Sequence, residues 1–297
     1  SDPEQFVKLL KGFGGESNDK VWTRLSGCLT VWDKALKQGF SSSVQKSFKK
    51  LALKLAKPIF LEVGWDSIDT DDDNRKKLRS TLAALMDSFG WDDEDVKREA
   101  KKRCSAFLVA PADRTVVSMD VLAPVLTCVM QAEASSELFD QLVEVHNKTE
   151  DGTIRRAIYS ALGNAPTSEL QKKALAWGLT DDVRSQDVIW VFSGVATSSL
   201  QGTQVYFDWL KDEYDAVYKR IGETSTMLFM HVVKLSGMGF ATKDKADEVQ
   251  AFWESKQIYS KVQKALAQTV EGINANVEFV GRLKSSQITQ DAFWEGF

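Results

Sequence analysis

Apolar residues recur at intervals of three and four through almost the whole of this 297-residue chain, and strict alternation is nearly absent. That spacing writes one apolar stripe per helix, and each stripe needs neighbours to cover it. From about Asp19 to Gln38, Val21, Trp22, Leu25, Cys28, Leu29 and Trp32 share a face. From Ser41 onward, Val44, Phe48, Leu51, Leu55 and Phe60 point inward. Asp2-Pro3, Ser41-Ser42-Ser43, the run Asp69 to Asp73 and Asp92-Asp93-Glu94-Asp95 supply capping oxygens at helix starts, while Gly14-Gly15, Gly39 and Gly64-Trp65 supply stops. Pro58 predicts a kink or break, because it has no amide hydrogen to donate. Beyond it, helices are expected over about 92–108, 120–134, 135–147, 153–162, 167–179, 185–197, 203–221, 226–240, 243–256 and 260–284. Loops this short force neighbouring helices side by side. The reading is therefore all-α: a superhelical array of antiparallel helix pairs with a concave face, forming one domain over 1–297.

A formal charge of -4 with mixed signs offers no basic field for phosphates, which argues against nucleic acid. No run approaches the roughly 18 apolar residues of a membrane span, so no membrane partner is expected. Cys28, Cys104 and Cys128 are odd in number and lack a C-x-x-C, a pattern that suits a reducing compartment better than a disulfide framework or a zinc knuckle.

Catalytic signatures are missing. The two histidines, His146 and His231, are followed by Asn147-Lys148 and Val232-Val233, so neither forms the H-E-x-x-H pair that places two imidazoles one helical turn apart. They read as capping and packing residues. Asp69, Asp71 and Asp73 alternate as in a calcium loop, but Arg75 replaces an oxygen ligand, so a helix start is the better reading. Cys104 and Cys128 read as buried helix cysteines rather than nucleophiles. Most of the nine tryptophans are expected in the core, Trp22, Trp65 and Trp209 among them. Lys97, Arg98, Lys101 and Lys102 read as a solvated cationic face.

Several stretches carry a resemblance. Val21-Trp22-Thr23-Arg24-Leu25, Phe60-Leu61-Glu62-Val63-Gly64-Trp65, Lys77-Leu78-Arg79, Ile154-Arg155-Arg156-Ala157 and Leu162-Gly163 are followed by Val183-Arg184-Ser185-Gln186-Asp187, Gly194-Val195-Ala196, Phe207-Asp208-Trp209-Leu210, Phe240, Glu248-Val249, Phe252-Trp253 and Glu271 to Asn276. In this order they resemble the C-terminal helical domain of the zinc aminopeptidases of the aminopeptidase N type, above all the puromycin-sensitive, cytosolic branch. The family's tryptophan past the Asn276 position is absent, with Phe279 nearest to it.

The resemblance implies a noncatalytic domain of HEAT- or armadillo-like helix pairs that belongs to a larger cytoplasmic enzyme. Its partners would be the catalytic domain of the same polypeptide and peptide substrates; zinc would belong to that catalytic domain, with no cofactor or metal ligand in this chain. Gly64, Trp65, Gln186, Asp187, Glu271 and Asn276 are expected at structural junctions, with Ser185-Gln186-Asp187 capping a helix. Arg155, Arg156 and Arg184 are the cationic candidates for meeting a peptide's distal carboxylate. The alternative reading is a free-standing helical-repeat scaffold that binds a protein on its concave face.

Overall fold

Most helices begin where a side-chain oxygen accepts a hydrogen bond from otherwise unbonded first-turn amides. In the computed structural model, which describes residues 2–297, Asp2 caps α1 (Pro3–Leu10), Asn18 caps α2 (Asp19–Leu36), Ser41 caps α3 (Ser42–Val63), Asp72 caps α4 (Asp73–Gly90) and Asp93 caps α5 (Glu94–Val109). After α6 (Leu122–Glu133), Ser135 caps α7 (Ser136–Lys148), and α8 spans Gly152–Gly163. Thr167 caps α9 (Ser168–Gly178); α10 (Val188–Ser198) and α11 (Leu200–Asp212) follow, with Ser199 capping the latter. Then come α12 (Tyr214–Val217), α13 (Thr226–Leu235), α14 (Lys243–Glu254), α15 (Tyr259–Lys284) and α16 (Asp291–Trp294). No strand occurs among the described residues, and the chain is all-α.

Contacts divide the chain into two compact units, Ser1–Ile158 with Gly281–Phe297, and Tyr159–Val280. Within the first, α3 packs on α4, α2 on α3 and α4, and α6 on α4 and α5; within the second, α10 packs on α9, α11 and α13, and α9 on α11. In the first unit, Trp32 stacks between Phe6 and Phe48 at 4.6 and 5.9 Å, and Trp294 meets Phe48 edge-on. In the second, buried Trp253 gathers Tyr214, Phe229 and Phe252 and donates its indole N–H to Ser236 Oγ at 2.9 Å.

Several expectations are corrected. Pro58 does not break α3, which runs 22 residues through it. Its ring is exposed, so the Lys54 carbonyl it leaves without a helical donor lies on the water side, while Leu55, Ala56, Ile59 and Phe60 are buried around it. The single helix expected over 203–221 is instead α11, α12 and a π-helical turn, Tyr218–Gly222. Gly222 lies so close beneath Tyr218 that a Cβ would sit 2.3 Å from its ring, a local packing demand that periodicity does not encode. Cys28 is exposed rather than on the buried face of α2. Trp22 and Trp209 are buried, but Trp65 is only half-buried and Trp190 is 50% exposed. Finally, α16 and the short 3-10 turn Gln287–Thr289 extend helical structure beyond the last helix expected.

Candidate functional site

The resembling stretches assemble into junctions between helices. At the first, Gly64 ends α3 with φ 83°, a backbone region that favours glycine, and its carbonyl accepts from Arg79 Nε at 3.1 Å. Arg79 has a fully buried side chain on α4. It ion-pairs with buried Asp71 and donates through Nη1 to Ser67 Oγ (3.1 Å) and Asp120 Oδ2 (3.0 Å). Arg75 donates to the Glu62 and Val63 carbonyls at the end of α3 and lies 3.1 Å from Asp71 Oδ1 as an ion pair without hydrogen-bond alignment. Burial pushes the Asp71 carboxyl up, but the Ile68 amide and the two guanidiniums outweigh it and hold it below the usual carboxylate range. One buried guanidinium thus ties together the loop after α3, the start of α4 and the connector before α6. Within the acidic run, Asp71 serves this network and Asp72 the α4 cap.

Beside it, Trp65 packs edge-on against Phe60 at 4.7 Å, with the Arg103 guanidinium 5.5 Å over its ring. Arg103 also pairs bidentately with Asp66 at 2.5 and 2.8 Å.

In the second unit, Gly163 and Gly194 bring α8 and α10 into backbone contact. A Cβ on Gly163 would lie 2.5 Å from Gly194 Cα. Val183 is fully buried, and its carbonyl accepts from Arg220 Nη2 at 2.8 Å; Arg220 also reaches Thr180 O and Asp181. Asp187 occupies the position before α10, but its side chain makes no capping hydrogen bond, contrary to the expectation, and Gln186 is exposed. The Val188 amide bonds instead to the Arg184 carbonyl at 3.2 Å, so the backbone closes this start. Lys211 bridges Asp208 on its own helix to Glu248 on α14, each at 2.8 Å, linking two further stretches. Asn276 Nδ2 donates to the Phe240 carbonyl at 3.0 Å, whereas Glu271 is exposed on α15.

Arg155 lies in the first unit and Arg184 in the second. The Arg155 side chain is 12% exposed and pairs at 3.1 Å with Glu150, itself 84% exposed. Arg156 is exposed and donates to Gly152 O of its own helix; Arg184 is exposed. The cationic face of α5 is largely matched by acids, Arg98 by Asp95 and Lys101 by Glu133.

His146, 1% exposed, places Nδ1 2.9 Å from Asn147 Oδ1. His231 is exposed on α13 rather than packed, and belongs to the other unit. Among the described residues no three His, Cys, Asp or Glu side chains are grouped to hold a metal ion. Burial pushes the Cys104 and Cys128 thiols up to about 12, far from a nucleophile's range. No helix among the described residues is long and apolar enough to cross a membrane.

Sequence reasoning missed Arg79 as a network centre and Arg220 altogether. The signal for Arg79 was an arginine on the apolar stripe of α4, one residue after Leu78; Arg220 leaves none.

The chain is 26% identical over 285 residues to Aminopeptidase M1-B of Oryza sativa subsp. japonica, covering 94% of this chain and 31% of that protein. It is 26% identical over 220 residues to Aminopeptidase N of Lactobacillus delbrueckii subsp. lactis (73% and 25%), and 22% identical over 282 residues to the Puromycin-sensitive aminopeptidase of Caenorhabditis elegans (93% and 29%). The chain therefore spans less than a third of the length of each of these relatives. The sequence model of the ERAP1-like C-terminal domain matches residues 1–275, nearly all of the helical framework whose junctions are described above, and the chain belongs to that family.

Proposed function

We propose that this domain walls the cavity through which peptides reach the catalytic centre of a zinc-dependent aminopeptidase, whose catalytic domain lies elsewhere in the same polypeptide. The observation that carries this reading is the family match over residues 1–275, joined to relatives that are named aminopeptidases and are about three times as long. In this reading the domain contributes no catalytic residue; it admits, holds and positions peptides whose N-terminal residues are removed elsewhere. Three free thiols suit a reducing, cytoplasmic setting.

Arg155 is the best placed of the three arginines to meet a peptide's distal carboxylate. Its guanidinium is nearly buried, which strengthens a charge pair, and its ion-pair partner Glu150 is solvent-exposed, so an incoming carboxylate displaces that partner at low cost. Arg156 and Arg184 add exposed positive charge. Binding energy gained far from the scissile bond raises turnover when it fixes the reacting end in place. The test is the complete aminopeptidase carrying Arg155→Gln, Arg156→Gln or Arg184→Gln, assayed on peptides of increasing length and on a single-residue chromogenic substrate. Expected is a fall in kcat/KM of about two- to five-fold per residue on the longer peptides, the scale of an exposed charge pair, with the chromogenic substrate unchanged. An unaltered length dependence in all three variants overturns the assignment.

A further inference from the structure

Only two residues, Ala134 and Ser135, connect α6 to α7. Ala134 takes φ 48° and is the one non-glycine residue with a left-handed backbone among the described residues. Most side chains avoid that conformation. Here it lets the Ala134 amide close α6 onto the Met130 carbonyl at 3.0 Å, and Ser135, next in the chain, caps α7 by accepting from the Leu138 amide. α5 packs on both helices, and where it meets this turn a cleft of about 210 Å³ lies between the three.

The floor of the cleft is apolar. Val129 and Leu138 are buried, Leu108 is half-buried, and the Cys104 thiol, 2% exposed, is kept neutral by its burial. At roughly 30 Å³ per water-sized group, the volume holds about seven non-hydrogen atoms.

The mouth is polar, and its charges do not balance. Lys101 and Glu133 pair with each other at 2.7 Å, their side chains 63% and 33% exposed, so the one cation of the lining is already engaged. Glu137, in the first turn of α7, remains, and neither it nor Ser105 nor Gln141 makes a side-chain hydrogen bond or ion pair among the described residues. The residual charge is that of one carboxylate, flanked by two neutral groups that can accept. An ammonium is the complementary group, because it carries a positive charge, three N–H donors and no acceptor. A short hydrocarbon chain attached to it covers the apolar floor.

We propose that the cleft between α5, α6 and α7 binds a small primary amine, with its ammonium on Glu137, Ser105 and Gln141 and its alkyl chain on Leu108, Val129 and Leu138. The site is built entirely from this chain and is independent of the aminopeptidase reading above.

The probe is hexylamine, set against hexanol as its uncharged counterpart and butylamine as its shorter homologue. Each is titrated into the 297-residue chain labelled with ¹³C at the leucine methyls, with signals assigned by single Leu→Ile substitutions. Expected are saturable shifts at Leu108 and Leu138, while Leu175 and Leu210, buried in the second unit, stay still. Hexanol binds about two- to five-fold more weakly, and Glu137→Gln weakens hexylamine by the same factor without changing hexanol binding. Glu137 is exposed, so this substitution leaves the fold intact. Butylamine binds more weakly by about two- to four-fold for each methylene removed. Nα-acetyl-lysine methylamide presents the same ammonium on a peptide backbone, which the cleft has no room to admit, and is expected to bind more weakly than butylamine. Leu108 and Leu138 unmoved at millimolar hexylamine, equal affinity for hexylamine and hexanol, or tighter binding of the lysine derivative than of butylamine each overturns the proposal.

Discussion

Replacing Arg79 by alanine leaves the buried Asp71 carboxylate with only the unaligned ion pair to Arg75 and frees the Gly64 carbonyl, the Ser67 hydroxyl and Asp120 at once. Breaking a buried pair from one side costs about 3–5 kcal/mol, far more than the pair contributes relative to an apolar replacement. Arg79→Ala is therefore expected to lower the unfolding free energy by that amount, read as a lower urea midpoint at unchanged slope. The same network carries a pH dependence whose sign is fixed. Because the folded-state pKa of Asp71 is held below its ordinary value, the carboxylate adds stability above that value, and the contribution is lost as pH falls through the folded-state pKa. Wild-type stability should thus decline from about pH 4 downward more steeply than that of Asp71→Asn. An equal slope in the two proteins would remove Asp71 from the acid response.

At the scale of helices, the contact of Gly163 with Gly194 sets how closely α8 and α10 pass. Gly163→Ala forces a methyl against the α10 backbone and is expected to destabilise by about 1–3 kcal/mol. Gly27→Ala on the exposed side of α2, where nothing lies within 4 Å, should be neutral or stabilising by up to about 1 kcal/mol. Thermal unfolding of the two variants checks both signs. The contrast also marks what the sequence makes legible. Asp2, Ser41 and Ser135 announce helix starts because a cap acts on amides two or three residues away, and apolar spacing locates most of the helices for the same local reason. Asp71 with Arg79, Arg79 with Asp120 and Arg220 with Val183 are 8, 41 and 37 residues apart, and such pairings leave no periodic trace. The Gly163–Gly194 contact is equally silent, since an isolated helix glycine reads only as a weakness. Pro58 shows the converse: a strong local signal for a break is overridden by burial on both sides of it.

At the scale of the molecule, the first unit is discontinuous, joining Ser1–Ile158 to Gly281–Phe297. Its C-terminal piece is anchored by several contacts: Trp294 is 6% exposed and donates to Ile288 O at 2.8 Å, Gln287 N donates to Glu4 Oε1 at 2.7 Å, and Lys11 donates to Gly296 O at 2.6 Å. Trp294→Ala should cost about 3–5 kcal/mol in the first unit, and hydrogen exchange should accelerate in α1 and α3, which pack against this segment, more than in α10 and α11. This layout also has a consequence for biosynthesis. A ribosome working at about 5–20 residues per second needs roughly 6–25 s to add the roughly 120 residues of Tyr159–Val280 before Trp294 can emerge. Through that interval the nascent first unit holds Phe48 without its last aromatic neighbour, an apolar opening for a chaperone to shield until translation reaches the closing segment.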